Sequence, residues 1–530
     1  MSLEEVIVAK NDEFADGEMK QVTANGTEVL LARVGGKFHA VAAYCPHYGA
    51  PLVDGVLSGD RVVCPWHHSC FDITTGDLLE PPALDSLPSS EIKIENDQVI
   101  VRVPDGGPDR RTPTMSKRNP NDTRLFAIVG GGAAGYAAVQ TLREDGFAGR
   151  LVLITAEDRL PYDRPNLSKD YLQGDAEPAW MPLRPEDFFA EYDIEVERGR
   201  RVQSIDASQR SIDFEDGGSL LFDAVLVATG GQPVKLPFQL ESQENVFPLR
   251  SFDDSDAIIA AAEKAKRAVV IGASFIGMEV ASSLAARGLE VTVVAPGDVP
   301  FQKILGEKIG RIFQNVHVEN GVKFELGSSV AGFIGERRVT AVTLADGKRL
   351  DADFVVVGVG VKPVTNMLKG VTLHTDGSVF VDEHLRAADA VYAAGDIAYF
   401  PSPLNGKRQR IEHWRTAMQQ GRIAAHNMIG RNVPYNVIPF FWTHQFDAGL
   451  LYVGHAEQWD EILYQGDASA RDFLAFYTKD GRVLAVAGMN RDREMAAIDE
   501  LMRLAKMPLA AELKSSSVDW VKLLFNQNGR

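Results

Sequence analysis

Two glycine fingerprints constrain what this chain can fold into more than any other feature. Gly130-x-Gly132-x-x-Gly135 follows the apolar run LFAIV (125–129), and Gly272-x-Ser274-x-x-Gly277 follows AVVI (268–271) about 140 residues later. In each, a strand-like run meets a helix-compatible stretch through glycines that serve a tight turn, the approach of a pyrophosphate and helix packing. Such junctions predict βαβ units with parallel sheets. Two of them so far apart predict two nucleotide-binding domains rather than a solenoid repeat. Glu157, 22 residues after Gly135 and at the end of LVLITA, suits the acid that hydrogen-bonds an adenosine ribose. The second unit departs from this pattern, because Ser274 replaces the middle glycine. Its next strand, EVTVVAP, ends at Ala295 and Pro296 where an acid reading a 2′-hydroxyl is expected. No arginine stands immediately beside it, so NADH is preferred and NADPH stays open; a fortuitous glycine-rich turn is the rival reading.

The cysteines supply the second constraint. All three lie in the first 70 residues, so a secreted disulfide scaffold is excluded and 71–530 carries no thiol. Cys45-Pro-His47 and Cys64-Pro-Trp-His67 read C-x-H, sixteen residues, then C-x2-H, on turn-rich segments after β-like runs. Each arm offers one thiolate and one imidazole. That is the inventory of a [2Fe-2S] centre in which two histidines replace two cysteines on one iron, the Rieske pattern. A structural zinc site wants the same donors but usually pairs C-x2-4-C with H-x3-5-H; a metal-free core is the other rival. His68 competes with His67 as a ligand, and Cys70, lacking a spare partner, reads as a small buried hydrophobe.

At 530 residues the chain predicts about three or four domains. Residues 1–103 alternate short β-like runs with Gly, Asp and Pro turns, an all-β module. The stretch 104–123, with four prolines and two glycines, is expected to run extended and solvated as a linker, the rival being a long loop within one domain. From about 437, aromatics and strand-like runs precede helical ones, an α+β domain. With 45% apolar and 24% charged residues, collagen-like, coiled-coil and disordered classes are excluded. A net charge of −18 opposes binding to nucleic acid or an anionic membrane. MSLEEVIVAK shows no targeting pattern, and the most apolar window, 268–286, holds Glu279 and a fingerprint, so a soluble cytoplasmic protein is expected.

CPHYGAPL and CPWHHSCFD resemble Rieske ferredoxins over roughly the first hundred residues. Against respiratory Rieske proteins, Ala50 and Trp66 stand where a disulfide clamps the loops, and Phe71 where a cluster-bonding tyrosine is usual. Ser69 matches their serine, and His68 replaces a usual glycine. Fewer donors to the sulfurs imply a lower, ferredoxin-like potential.

From about 124 onward, the chain resembles the ferredoxin reductases of oxygenase systems and apoptosis-inducing factor. The elements come in order: first fingerprint, PYDRPNLSK (161–169), LVATGG (226–231), second fingerprint, GVGVKP (358–363), GDIA (395–398) and RIEHWRTAMQQG (410–421). With the Rieske module in front, the whole chain resembles the fused apoptosis-inducing-factor-like reductases. The implied fold is multidomain: an all-β Rieske domain (1–103), then an α/β flavoprotein with two dinucleotide-binding domains and an α+β C-terminal domain (437–530). FAD binding falls to 124–248 and 372–436, and NAD(P)H binding to 249–371. The resemblance implies FAD contacts from Arg164, Thr229, Gly230, Gly395, Asp396, Glu412 and His413, with Trp414 and Trp442 walling the ring and Gly360 on the nicotinamide side. It also implies an ion pair, Lys169 with Glu279, beside the flavin. Hydride transfer makes an anionic reduced flavin, which an ammonium held by a carboxylate stabilises in a dry site.

Without cysteines beyond 70, disulfide reduction through flavin-side thiols is excluded. The expected activity is an NAD(P)H:ferredoxin oxidoreductase passing hydride to FAD, single electrons to the [2Fe-2S] cluster and then electrons to an external protein such as an oxygenase. Tethering at about millimolar effective concentration is expected to suffice without a tight docking surface, with motion between modules. The alternative is an apoptosis-inducing-factor-like redox sensor with slow turnover. A Rieske-like nitrite reductase subunit is disfavoured, since no cysteine is spare for sirohaem, and a homodimer is left open.

Overall fold

The computed structural model describes residues 3–515 and 518–528. A six-stranded antiparallel sheet opens the chain, in the order Leu3–Lys10, Gln98–Pro104, Ser89–Glu95, Lys37–Ala42, Thr27–Val34, Met19–Ala24. Both faces are buried, because the period of two in Thr27–Val34 sends Val29 and Leu31 into one core and Leu30 and Ala32 into another. The second core holds Cys45 and Cys64. A four-stranded meander from Val56–Ser58 to Leu78–Glu80 carries the second cysteine loop, between Arg61–Val63 and Cys70–Asp72.

Residues 104–123 run extended and solvated between the modules as expected, with no buried residue, but they are tied down rather than free. Arg111 and Ser86 exchange backbone hydrogen bonds at 2.8 and 2.9 Å, and Ser116 and Asn119 donate to the carbonyls of Arg143 and Ala148 at 2.8 and 2.7 Å. The strap is pinned first to the β module and then to the flavoprotein, so its prolines mark a fixed extended path.

Each fingerprint follows the central strand of a parallel sheet. The first sheet runs Ile194–Glu197, Arg150–Ile154, Leu125–Val129, Ala224–Val227, Val391–Ala393, closed by antiparallel Arg386–Ala388. The second runs Val246–Pro248, Phe354–Val357, Arg267–Ile271, Glu290–Ala295, Lys323–Leu326. The boundaries expected near 248/249 and 371/372 fall beside short strands that pair across them. Val246–Pro248 already pairs with Phe354–Val357, while Leu368–Lys369 pairs back with Val202–Asp206 of the first domain. The chain crosses between domains through strands that pair with each other, Gly231–Pro233 and Val361–Pro363.

A five-stranded antiparallel sheet, beginning with Phe440–Gln445, and the helix Asp492–Arg503 follow. The first strand buries both faces: Phe440 and Trp442 join a core with Val63 and Cys70 of the β module, while Phe441 joins the core of the second nucleotide domain. Among the described residues no helix is long and apolar enough to cross a membrane.

Candidate functional site

The four donors meet as two pairs. His47 Nδ1 and His67 Nδ1 lie 3.1 Å apart, and the buried thiols of Cys45 and Cys64 share a hydrogen bond. Among the described residues no group of three or more Cys, His, Asp or Glu converges as for a single ion. A tetrahedral zinc needs all four donors on one centre; two pairs suit two irons, one with sulfur and one with nitrogen ligands. Burial pushes the His47 imidazole down to about 3 and His67 well below its usual value, so both are neutral, the form that ligates. Cys45 is the more acidic thiol, through the hydrogen bond from Cys64 and then N–H groups of His47 and Tyr48, while burial pushes Cys64 up. Ser69 also reaches Cys45 and accepts from the Ala83 N–H at 2.9 Å. The donor set thus fits a Rieske cluster. His68 points away from it, Cys70 is buried, and at the clamp positions Ala50 is buried and Trp66 is 40% exposed.

The pair of histidines faces the reductase. The His67 ring lies 4.4 Å from the Trp442 ring, and His47 6.4 Å. Tyr48 donates to Asp163. This placement is built by a docked interface, contrary to the expected loose tether. Arg184 makes a bidentate pair with Asp85 at 2.7 and 3.1 Å; Arg415 donates to the carbonyls of Pro81 and His68, both at 2.9 Å. Gln419 donates to Glu80 at 2.8 Å. All these polar groups are buried or nearly so, so each hydrogen bond is formed out of water, where losing one partner is costly.

Behind Trp442 opens a cavity of about 740 Å³. Gly130, Gly132, Glu157, Arg164, Lys169, Thr229, Gly230, Glu279, Gly395, Asp396, Glu412, His413, Trp414 and Trp442 all line it. Gly130 adopts φ +123°, and a Cβ there would sit 2.1 Å from the Ala228 carbonyl; one at Gly135 would sit 1.8 Å from the Gly130 carbonyl. A Cβ at Gly132 meets nothing within 4 Å and would protrude into the cradle itself. Strand end, turn and helix start are therefore shaped for a pyrophosphate. Glu157 accepts from Tyr162 at 2.6 Å and Arg164 at 2.8 Å, and Asp396 from Arg250 at 2.7 Å. The cavity fits a flavin dinucleotide. Lys169 Nζ donates to Glu279 Oε2 at 2.8 Å; Ser168 donates to the same oxygen at 2.5 Å and Thr443 to Oε1 at 2.7 Å.

The second fingerprint repeats the backbone but not the cavity. Gly272 has φ +115°, its Cβ would meet the Gly358 carbonyl at 2.2 Å, and one at Gly277 would meet the Gly272 carbonyl at 2.1 Å. Gly272, Ser274, Gly277 and Gly360 do not line the large cavity; Phe275 and Ile276, on the helix between them, do. This places the second nucleotide turn at the cavity mouth. Sequence reasoning missed Arg250, Thr443, Ser168 and the docking residues Arg184 and Arg415. Of these Ser168, inside PYDRPNLSK, and Arg415, inside RIEHWRTAMQQG, carried a local signal.

Fold and site together define a flavoprotein reductase of two nucleotide domains with a Rieske module seated at its flavin cavity. Residues 125–421 match the pyridine nucleotide-disulphide oxidoreductase family, 4–91 the Rieske [2Fe-2S] domain and 440–524 the reductase C-terminal domain. The chain belongs to the pyridine nucleotide-disulphide oxidoreductase family, as an FAD-dependent oxidoreductase with a fused Rieske domain. It is 39% identical over 510 residues to human apoptosis-inducing factor 3, covering 94% of this chain and 84% of that protein. It is 34% identical to the 5,5′-dehydrodivanillate O-demethylase ferredoxin reductase subunit of Sphingobium, covering 69% and 90%. The solved covalent putidaredoxin reductase–putidaredoxin complex superposes with a TM-score of 0.72 at 30% identity, covering 77% of this chain and 100% of that one.

Proposed function

We propose that the protein is an NAD(P)H-dependent ferredoxin reductase that reduces its own Rieske module, which then serves an external electron acceptor such as an oxygenase. The observation that carries this is the Trp442 indole: it lines the flavin cavity on one side and packs 4.4 Å from the His67 ring on the other. Bound FAD supplies a centre that takes a hydride and gives up electrons singly, and a bound Rieske cluster supplies a one-electron site beside it. The chain's own residues do the rest. Gly130, Gly132, Glu157 and Asp396 would hold the dinucleotide, Cys45, His47, Cys64 and His67 the cluster. Lys169 keeps a positive charge in the cavity wall, where it favours negative charge developing on the ring. Its 16% side-chain exposure limits solvent screening. Glu279 fixes that ammonium because Ser168 and Thr443 fix Glu279.

The test is an anaerobic titration with NADH and, separately, NADPH, following flavin absorbance and the reduced cluster by electron paramagnetic resonance. Reduction of both centres within one turnover time is expected. Flavin bleaching with an oxidised cluster would sink the internal route. The relative at 39% identity over most of the chain bears the name of an apoptosis-inducing factor, which favours a second reading, a slow redox sensor. Persistent charge-transfer absorbance with an NADH-dependent change in mass would support that reading.

A further inference from the structure

His68 follows a cluster ligand yet turns its side chain the opposite way. Its ring is fully buried and stacks on Phe440, centroids 4.1 Å apart and planes at 27°. Its Nδ1 lies 2.8 Å from Asp499 Oδ2, on the helix Asp492–Arg503, and its carbonyl accepts from Arg415 Nη2 at 2.9 Å. Arg415 Nη1 stands 3.6 Å from the same Asp499 oxygen. One residue of the β module is thereby held by three separate elements of the reductase.

The backbone makes this choice of residue informative. His68 has φ +57°, the left-handed region that glycine enters freely and an L side chain enters only against steric resistance. Local conformation argues for glycine. Full burial of a polar imidazole argues against histidine as well. What offsets both is on the far side of the interface, in the Asp499 carboxylate and the Phe440 ring. The side chain is accounted for by docking and by nothing within the cluster loop.

We propose that His68 is a positioning residue: through Asp499 and Phe440 it clamps the second ligand loop to the reductase, so that the Rieske module is a fixed relay on its own flavoprotein rather than a tethered shuttle. This rests on the reading that electrons pass from flavin to cluster, because only then does the clamp set a rate. Cys64 and His67 precede the clamped residue by four and one positions, so freeing it loosens the loop that faces Trp442.

The experiment compares wild type with His68→Gly, which suits the backbone, with His68→Gln, which retains a donor, and with Asp499→Ala, which releases the clamp from the reductase side. Hydrogen exchange of residues 64–72 and 492–503 reads docking without reference to turnover; the dithionite-reduced paramagnetic signal reads cluster content. In His68→Gly and Asp499→Ala we expect exchange at least tenfold faster in both segments. NADH-driven cluster reduction should slow about tenfold, with flavin bleaching and the dithionite signal kept and His68→Gln intermediate. Wild-type exchange in His68→Gly and Asp499→Ala overturns the clamp. If His68→Gly loses its cluster, Asp499→Ala alone decides. Should wild type itself fail to reduce its cluster with NADH, the electron route fails instead, and the exchange data still judge the docking.

Discussion

Glu279 shows how much of this site is set by single side chains. Both of its oxygens are spoken for, by Lys169 and Ser168 on one and Thr443 on the other, and it is 3% exposed. Replacing Lys169 by Met should slow flavin reduction by NADH about 100-fold, some 2.7 kcal/mol, with FAD retained; stopped-flow absorbance measures it. His413 offers a test by pH. Burial pushes its imidazole from 6.5 down to about 3. The unfolded chain then binds a proton as pH falls through 6.5 while the folded chain does not, so stability declines from 6.5 toward 3 by up to about 1.4 kcal/mol per unit. A His413→Gln protein should lose less between pH 6.5 and 4, read from urea midpoints. The ligand and fingerprint residues were legible because their chemistry is written in local spacing. Arg250 was not, since it meets Asp396 across 146 positions and no motif announces it.

The strand Phe440–Gln445 is the element on which the two redox sites turn. Alternation gives Phe440 and Trp442 to the β module and Phe441 and Thr443 to the flavin side. Trp442→Ala should slow cluster reduction about tenfold relative to flavin bleaching, as seen by freeze-quench paramagnetic resonance. Thr443→Val removes one charge-assisted hydrogen bond from a buried carboxylate and should cost about 1–3 kcal/mol, measured by denaturant unfolding. The sequence made Trp442 a candidate for the flavin wall, but it could not reveal the second contact. A strand buried on both faces shows which residues alternate, not which neighbour each face will meet. Both fingerprints were legible as strand–turn–helix units, and the strand pairings at the domain edges were not, because Val246–Pro248 and Leu368–Lys369 are too short to carry a period.

At the scale of the whole molecule, docking is the feature that composition hid. Prolines and glycines in 104–123 suggested a free tether, yet hydrogen bonds to Arg143 and Ala148 pin it and buried ion pairs lock the modules. Arg184→Met leaves buried Asp85 with only the more distant Arg110, at 3.9 Å, and should cost up to about 3–5 kcal/mol, with the β module unfolding as a separate transition. At the cavity edge, beside Trp442, the reductase surface is already occupied by residues of the same polypeptide. On the proposed route the wire would be insulated: occupancy alone would shut out crosstalk with carriers from neighbouring pathways, needing no discriminating contact. Excess free ferredoxin should accordingly leave the rate of internal cluster reduction unchanged, and dilution should leave it unchanged too.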